Sequence, residues 1–156
     1  MNITKAEPED LLDILALQYL AYQSEARLLN NPAIPPLTQT LDEVRREYKE
    51  GIVLKAVDER NVIIGSVRAY SEKGTLFIGK LIVHPQYQGQ GLGTKLLGEI
   101  ERRCPHSRYE LFTSTNSVRN IALYERLNYV AFKTRTISDN LEFVYLQKSG
   151  ETLAPA

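Results

Sequence analysis

Apolar residues recur along this chain with two different periods, and each change of period marks a new element. In "PEDLLDILALQYLAYQSE", Leu11, Leu12, Ile14, Leu15, Leu17, Leu20 and Ala21 form the broad apolar face of one helix. Pro8 suits its first turn, as do the acidic residues there. The short "ITKAE" before it reads as a first strand. After it, "NNPAIPPLTQT" is expected to be a loop, because Pro32, Pro35 and Pro36 fall within five residues. "LDEVRREYKEG" follows as a charged helix, with Thr40 placed to cap its start and Gly51 to close it.

The period then shortens to that of strands. "IVLKAVD", "VIIGSVRAYS" and "TLFIGKLIV" are separated by "DERN" and "EKG", connections short enough for hairpins. A glycine-rich stretch leads into the helix "LGTKLLGEIERRC", where Leu92, Leu96, Leu97 and Ile100 share a face. "RYELFTS" is a further strand, and "SVRNIALYERL" a helix ending at Asn128, which tolerates a left-handed backbone. "VAFKTRTI" and "LEFVYLQK", joined by "SDN", complete the pattern, and residues 149–156 are expected to form a frayed, flexible tail after a single domain over residues 1–148. The order predicts a mixed α/β (α+β) domain: an antiparallel meander, a strand–helix–strand crossover, then a hairpin.

Composition narrows the classes without naming one. The 156 residues carry 19 Lys plus Arg and 19 Asp plus Glu. A formal net charge of zero argues against a nucleic-acid partner or a polybasic membrane anchor. The single cysteine, Cys104, permits no internal disulfide, and His84 and His106 are too far apart in sequence to suggest a metal site. No apolar run approaches the eighteen or so residues of a membrane span. "MNITKAEPED" lacks the apolar core of a signal peptide, which predicts a soluble, cytoplasmic protein.

"HPQYQGQGLGTKLL" carries the chemistry. Gly89, Gly91 and Gly93 fall within five positions, immediately before a helix. Glycines are costly in helices and weak in strands, so something must approach this backbone closely. A helix start exposes unpaired amides and a partial positive charge, which suits a phosphate. Neither nucleotide fingerprint fits: Lys95 follows Thr94 where a P-loop needs a Gly–Lys pair, and Gly-x-Gly-x-x-Gly fails from Gly89 and from Gly91.

The run Gln88-Gly89-Gln90-Gly91-Leu92-Gly93, preceded by "LIVHP", instead resembles the Gln/Arg-x-x-Gly-x-Gly/Ala motif of the GNAT superfamily of N-acetyltransferases. "NIALYERLNY" is similar to that family's Asn-, Ala- and Tyr-bearing helix, and the element order matches over nearly the whole chain. The resemblance implies a central, mixed, mostly antiparallel sheet of about seven strands flanked by four helices. It also implies acetyl-CoA as co-substrate and no metal. Residues 88 to 94 (Gln88, Gly89, Gln90, Gly91, Leu92, Gly93 and Thr94) would cradle its pyrophosphate, while main-chain groups of Leu81, Ile82 and Val83 pair with the pantetheine arm and acetyl carbonyl. The family often has Asn where this chain has Ser117, so Asn116, Ser117 and Asn120 all remain candidates for the cofactor contact. Asn128 replaces the family's glycine before the last aromatic residue.

Tyr124 is the candidate catalytic residue. The resemblance implies that it protonates the departing thiolate, a task for which a phenol of pKa about 10 is matched to a thiol of about 8.5. Without the resemblance it would be a core tyrosine with its hydroxyl at the rim. His84 reads as a surface residue and Cys104 as a small, half-buried one. "TLFIGKLIV" lacks the acid that some relatives use as base, and Glu110 is a weak substitute. Acceptor specificity is expected from the first two helices and their connection, with Tyr19, Tyr22, Glu25 and Thr38 as candidates and Glu25 able to attract an ammonium group. The expected reaction is acetyl transfer to a primary amine of a small molecule or short peptide, by direct attack. Its alternatives are a non-catalytic acyl-CoA sensor and an N-terminal protein acetyltransferase. The acceptor's identity, the length of the acyl group and the oligomeric state, homodimer included, are left open by the sequence.

Overall fold

The computed structural model describes residues 1–150. Among them, seven strands form one sheet: β1 (Asn2–Lys5), β2 (Ile52–Val57), β3 (Ile63–Glu72), β4 (Thr75–Val83), β5 (Arg108–Ser114), β6 (Val130–Ser138) and β7 (Leu141–Ser149). Their spatial order is β1-β2-β3-β4-β5-β7-β6. Every neighbouring pair is antiparallel except β4 and β5. That pair is joined by a crossover helix, α5 (Leu92–Arg103), the connection that parallel strands require.

The remaining helices are α1 (Leu11–Ala21), α2 (Gln23–Leu28), α3 (Pro35–Thr38), α4 (Leu41–Glu50) and α6 (Val118–Arg126). Adjacent residues on a strand point to opposite faces, and β2 shows which helices cover which. Val53 packs with Leu11, Ile14 and Leu15 of α1 and Val44 of α4. Leu54 joins the main core with Leu92, Leu96, Leu97 and Ile100 of α5 and Tyr124 of α6. The sheet therefore carries α1 and α4 on one face and α5 and α6 on the other.

Three expectations need correction. The long first helix is interrupted at Tyr22, whose ψ of −1° departs from helical geometry, giving α1 and α2. The proline-rich stretch is not all loop. Pro35 and Pro36 open the one-turn α3, where a missing N–H costs nothing, so the four expected helices become six segments. Gly51 does follow α4, but with φ −148° it is not left-handed. A Cβ there would meet the Ala69 carbonyl oxygen at 2.0 Å, so this glycine permits a close approach to β3. Thr40 caps α4 as expected: its Oγ1 accepts from Glu43 N–H at 3.2 Å, and Glu43 Oε1 accepts from Thr40 N–H at 3.0 Å. Asn128 is left-handed at φ 74°.

Two features of the sheet position the site. β4 and β5 pair only from Thr75↔Arg108 to Phe77↔Glu110, then separate, leaving the facing edges of both strands without a β partner. On its other side β4 carries a bulge, with Ser66 opposite Ile82 and Arg68 opposite Gly79. Lys80, at φ 49°, is the left-handed residue within it. At the C-terminal end, Ser149 still pairs with Arg108, and Gly150 N–H donates to the Ser107 carbonyl at 2.8 Å. The rest of the expected tail lies outside the described residues. No helix among those described is long and apolar enough to cross a membrane.

Candidate active site

Two cavities meet at the gap between β4 and β5. The first, of about 620 Å³, lies between the β4 end, the glycine turn and α6. Gly89 (φ 78°) and Gly91 (φ 82°) are both left-handed, and a Cβ on either would meet no atom within 4 Å. Their freedom thus serves the turn and leaves open space beside it. Gly91 is the N-cap of α5, and the helix's first bond runs from Lys95 N–H to the Gly91 carbonyl at 3.1 Å. The amides of Leu92, Gly93 and Thr94 consequently have no intrahelical acceptor, and the helix dipole adds partial positive charge where they emerge. A helix start of this kind suits an anion.

Not all the expected cradle residues serve it alike. Gly93 is helical, and a Cβ on it would lie 3.3 Å from Leu123 Cδ2, so it lets α5 and α6 pack closely. Gln88 is exposed and ties the turn together, its Nε2 donating to the Val83 carbonyl at 3.4 Å. Gln90 is exposed and outside the cavity lining. Leu92 lines the cavity but buries its side chain in the core. Leu81, Ile82, Val83, Thr94, Asn116 and Asn120 all line it. Arg119 and Arg126 line it too, and sequence reasoning missed them. They stand seven residues apart on α6, a same-face spacing that could have revealed them.

The second cavity, of about 630 Å³, opens on the α1 and α4 face. Its walls are largely aromatic. Tyr70 and Phe77 stack at 5.1 Å between ring centroids, and Phe112 lies 4.9 Å from Phe143 and 5.3 Å from Tyr145. Among these walls stand Glu25, Glu47, Glu50 and Glu110, with Arg68 and Lys80. Arg68 is buried, bonding Gln39 Oε1 and Glu47 Oε2 through Nη1, both at 3.0 Å, and Gln18 Oε1 through Nη2. Glu110 pairs with Arg108 at 2.8 Å. Burial pushes the Lys80 ammonium below its usual pKa.

Tyr22, Glu25, Leu81 and Asn120 line both cavities and so mark the junction. Tyr124 lines the second, only 6% exposed. Its hydroxyl has no hydrogen-bond partner among the described residues, unlike that of Tyr129, which donates to Glu101 Oε2 at 2.9 Å. Arg68 Nε is the one side-chain polar atom there that is both sealed and unpartnered, so the Tyr124 hydroxyl keeps access to the cavity. Burial and then the charge of Glu25 raise the Tyr124 phenol above its usual pKa, so it stands protonated at neutral pH. Tyr22 is raised by the same two causes in the same order. Ser117 spends its hydroxyl on Glu25 Oε1 at 2.8 Å, while Asn120 Nδ2 donates to Thr113 Oγ1 at 3.4 Å.

Two expected acceptor residues lie elsewhere. Tyr19 packs into the α1–α4 cluster, its hydroxyl donating to the Gln39 carbonyl. Thr38 is exposed, and its hydroxyl closes α3 on the Pro35 carbonyl at 3.2 Å. His84 and Cys104 line neither cavity. Among the described residues, no group of three or more His, Cys, Asp or Glu side chains is placed to hold a metal.

The pattern of the Acetyltransferase (GNAT) family matches residues 11–129, a span that includes both the glycine turn and Tyr124. The chain belongs to the GNAT family. Solved GNAT structures share its fold. The ribosomal-protein-S18-alanine N-acetyltransferase of Escherichia coli superposes with a TM-score of 0.79 at 18% identity, over 98% of this chain and 96% of that one. The phosphinothricin acetyltransferase of Sinorhizobium meliloti, solved with acetyl-CoA, gives 0.76 at 20% identity, over 99% and 91%. The UPF0157 protein YqkA of Bacillus subtilis (strain 168) is 24% identical over 123 residues, which are 78% of this chain and 35% of the relative. The chain thus spans about a third of the length of that curated relative.

Proposed function

We propose that this GNAT protein transfers an acetyl group from acetyl-CoA to a primary amine of a small molecule or short peptide by direct attack. The observation that carries this reading is the β4–β5 gap, with the free amides of residues 92 to 94 on one side and the unpartnered Tyr124 hydroxyl on the other. The first cavity fits the coenzyme: open space at Gly89 and Gly91, three amide donors, and the cations Arg119 and Arg126 suit a diphosphate. Acetyl-CoA, when bound, supplies the activated thioester.

The chain's own residues supply the rest. The β4 edge at Leu81, Ile82 and Val83 offers main-chain groups to the pantetheine arm, and an amide there stabilises the oxyanion, a contribution of a few kcal/mol, roughly 3–4 in a dry site. Tyr124 gives its proton to the leaving sulfur. The second cavity receives the acceptor, and its aromatic walls and excess of carboxylates favour a cationic amine on an apolar body. Thiol release from acetyl-CoA, measured against a panel of aralkylamines, polyamines, amino acids, aminoglycosides and short peptides, tests the reading. We expect turnover with at least one apolar amine. Binding of acetyl-CoA without turnover would leave the sensor reading, and turnover only on an intact protein's N-terminus would leave the protein acetyltransferase.

A further inference from the structure

The amine that attacks a thioester must be neutral, yet alkylamines are mostly ammonium ions near neutral pH. β4, where some relatives keep a base, has no acid in this chain. Four glutamates line the acceptor cavity. Glu47 is paired with the buried Arg68, and Glu110 with Arg108. Glu50 stands exposed at the end of α4. Glu25 differs from all three. It is the carboxylate that lines both cavities, and its bonded neighbour among the described residues is a hydroxyl, Ser117, not a cation.

We propose that Glu25, from α2, is the general base of the reaction, taking a proton from the ammonium group that enters through the aromatic cavity. The proposal rests on the acetyl-transfer reading above. Ser117 is its positioning residue, holding Oε1 and leaving Oε2 for the acceptor. The titratable groups that feel the charge of Glu25 are Tyr22 beside it and Tyr124 on α6; Lys80 on β4 and the Arg68–Glu47 pair line the same cavity. Burial raises its carboxyl above the usual range, partly opposed by the Ser117 hydrogen bond, which moves a carboxylate towards a base useful at neutral pH.

The protons balance without a further reagent. Glu25 accepts one from R–NH3+. The free nitrogen forms its bond to the acetyl carbon as the carbon–sulfur bond breaks, and the Tyr124 proton goes to sulfur. The nitrogen then loses its second proton, which restores Tyr124, and Glu25 releases the first to solvent. The sum is R–NH3+ plus acetyl-CoA giving the amide, free thiol and one proton.

Two isosteric probes test this. Phenethylamine is mostly protonated at neutral pH, whereas O-benzylhydroxylamine has a similar body and a nitrogen that is already neutral. Glu25→Gln keeps a hydrogen-bonding partner for Ser117. With phenethylamine it is expected to lower kcat/KM by about 10²–10⁴-fold and to replace the acidic limb set by Glu25 with one that follows the amine's own, more alkaline, deprotonation. With O-benzylhydroxylamine the loss should be less than about tenfold, because no proton need be removed before attack. Ser117→Ala should move the acidic limb to higher pH. Equal losses with both probes, or a raised KM with kcat and limb unchanged, overturns the base assignment in favour of simple docking of the ammonium. If the wild type acetylates no amine at all, the acetyl-transfer reading fails and this proposal falls with it. Turnover by the wild type with an unaltered Glu25→Gln profile sinks only the role of Glu25.

Discussion

The two cavities that meet at the β4–β5 gap have nearly equal volumes, about 620 and 630 Å³, but are made of different material. The first presents mainly backbone: a left-handed turn, three helix-start amides and the unpaired edge of β4. The second presents side chains gathered from α2, α3, α4, β3, β4, α5, β5, α6 and β7. Backbone donors recognise an invariant ligand group, such as a diphosphate, and tolerate change in most side chains around them. Side-chain walls are what a protein varies to choose its acceptor. The difference separates what makes this chain a GNAT protein from what would distinguish it among them.

The larger expected effect within this comparison strikes the second cavity, which Tyr124 lines. Tyr124→Phe removes only the hydroxyl, so we expect kcat to fall by roughly ten- to a thousandfold with acetyl-CoA affinity little changed. The hydroxyl's lack of a partner and its access to the cavity motivate this. Wild-type kcat in a chemistry-limited assay would return Tyr124 to the core as a packing residue, and the second cavity would lose its link to the chemistry.

The same contrast explains which features were legible in the sequence. A backbone site is local: Gly89, Gly91 and the start of α5 are contiguous, and glycines leave a visible mark because few other residues adopt φ near +80°. The limits of β4 were legible for a similar reason, since "EKG" before it and the glycine-rich stretch after it bound an apolar run without tertiary information. The aromatic wall of the second cavity is mostly non-local. Tyr70 and Phe77 oppose each other across the short β3–β4 hairpin, but nothing near Phe112 in sequence says that it meets Phe143 across β5 and β7. Tyr19 and Tyr22 are three residues apart and look equivalent, but the interruption at Tyr22 sends one to Gln39 and leaves the other at the junction. The bond from Glu25 to Ser117 spans 92 residues and could not be read from either end.

A second substitution sharpens the comparison from the backbone side. Gly91→Val places a branched side chain in the space beside the turn, at a φ that such residues avoid. No protein atom lies within 4 Å of the new Cβ, so the obstruction falls on the ligand. We expect acetyl-CoA affinity to weaken at least tenfold, about 1.4 kcal/mol, with the circular dichroism spectrum retained. Calorimetry showing unchanged affinity would remove the anion site from the glycine turn and erase the distinction between the cavities.

The smallest expected effect concerns stability and has the opposite sign to the loss of activity. Burial holds the Glu25 carboxyl in the folded protein above its unfolded pKa. Between those two values the folded state binds a proton that the unfolded state has lost, so stability declines as pH rises through that window. Above it the carboxylate is charged in both states, and only the folded one bears the cost of desolvation. Glu25→Gln removes that cost while keeping a partner for Ser117. The variant should therefore melt at nearly the wild-type temperature in acid and gain on it as pH rises through the window. The gain should then hold at a few degrees, given that about 1 kcal/mol moves the Tm of a domain this size by roughly 2–4 °C. A catalytic carboxylate held at the expense of stability behaves in this way. If Glu25→Gln instead melts lower at neutral pH, the Glu25–Ser117 bond is a latch between α2 and the N-cap of α6. The junction would then be a structural seam in the acceptor wall, with no base held between the two cavities.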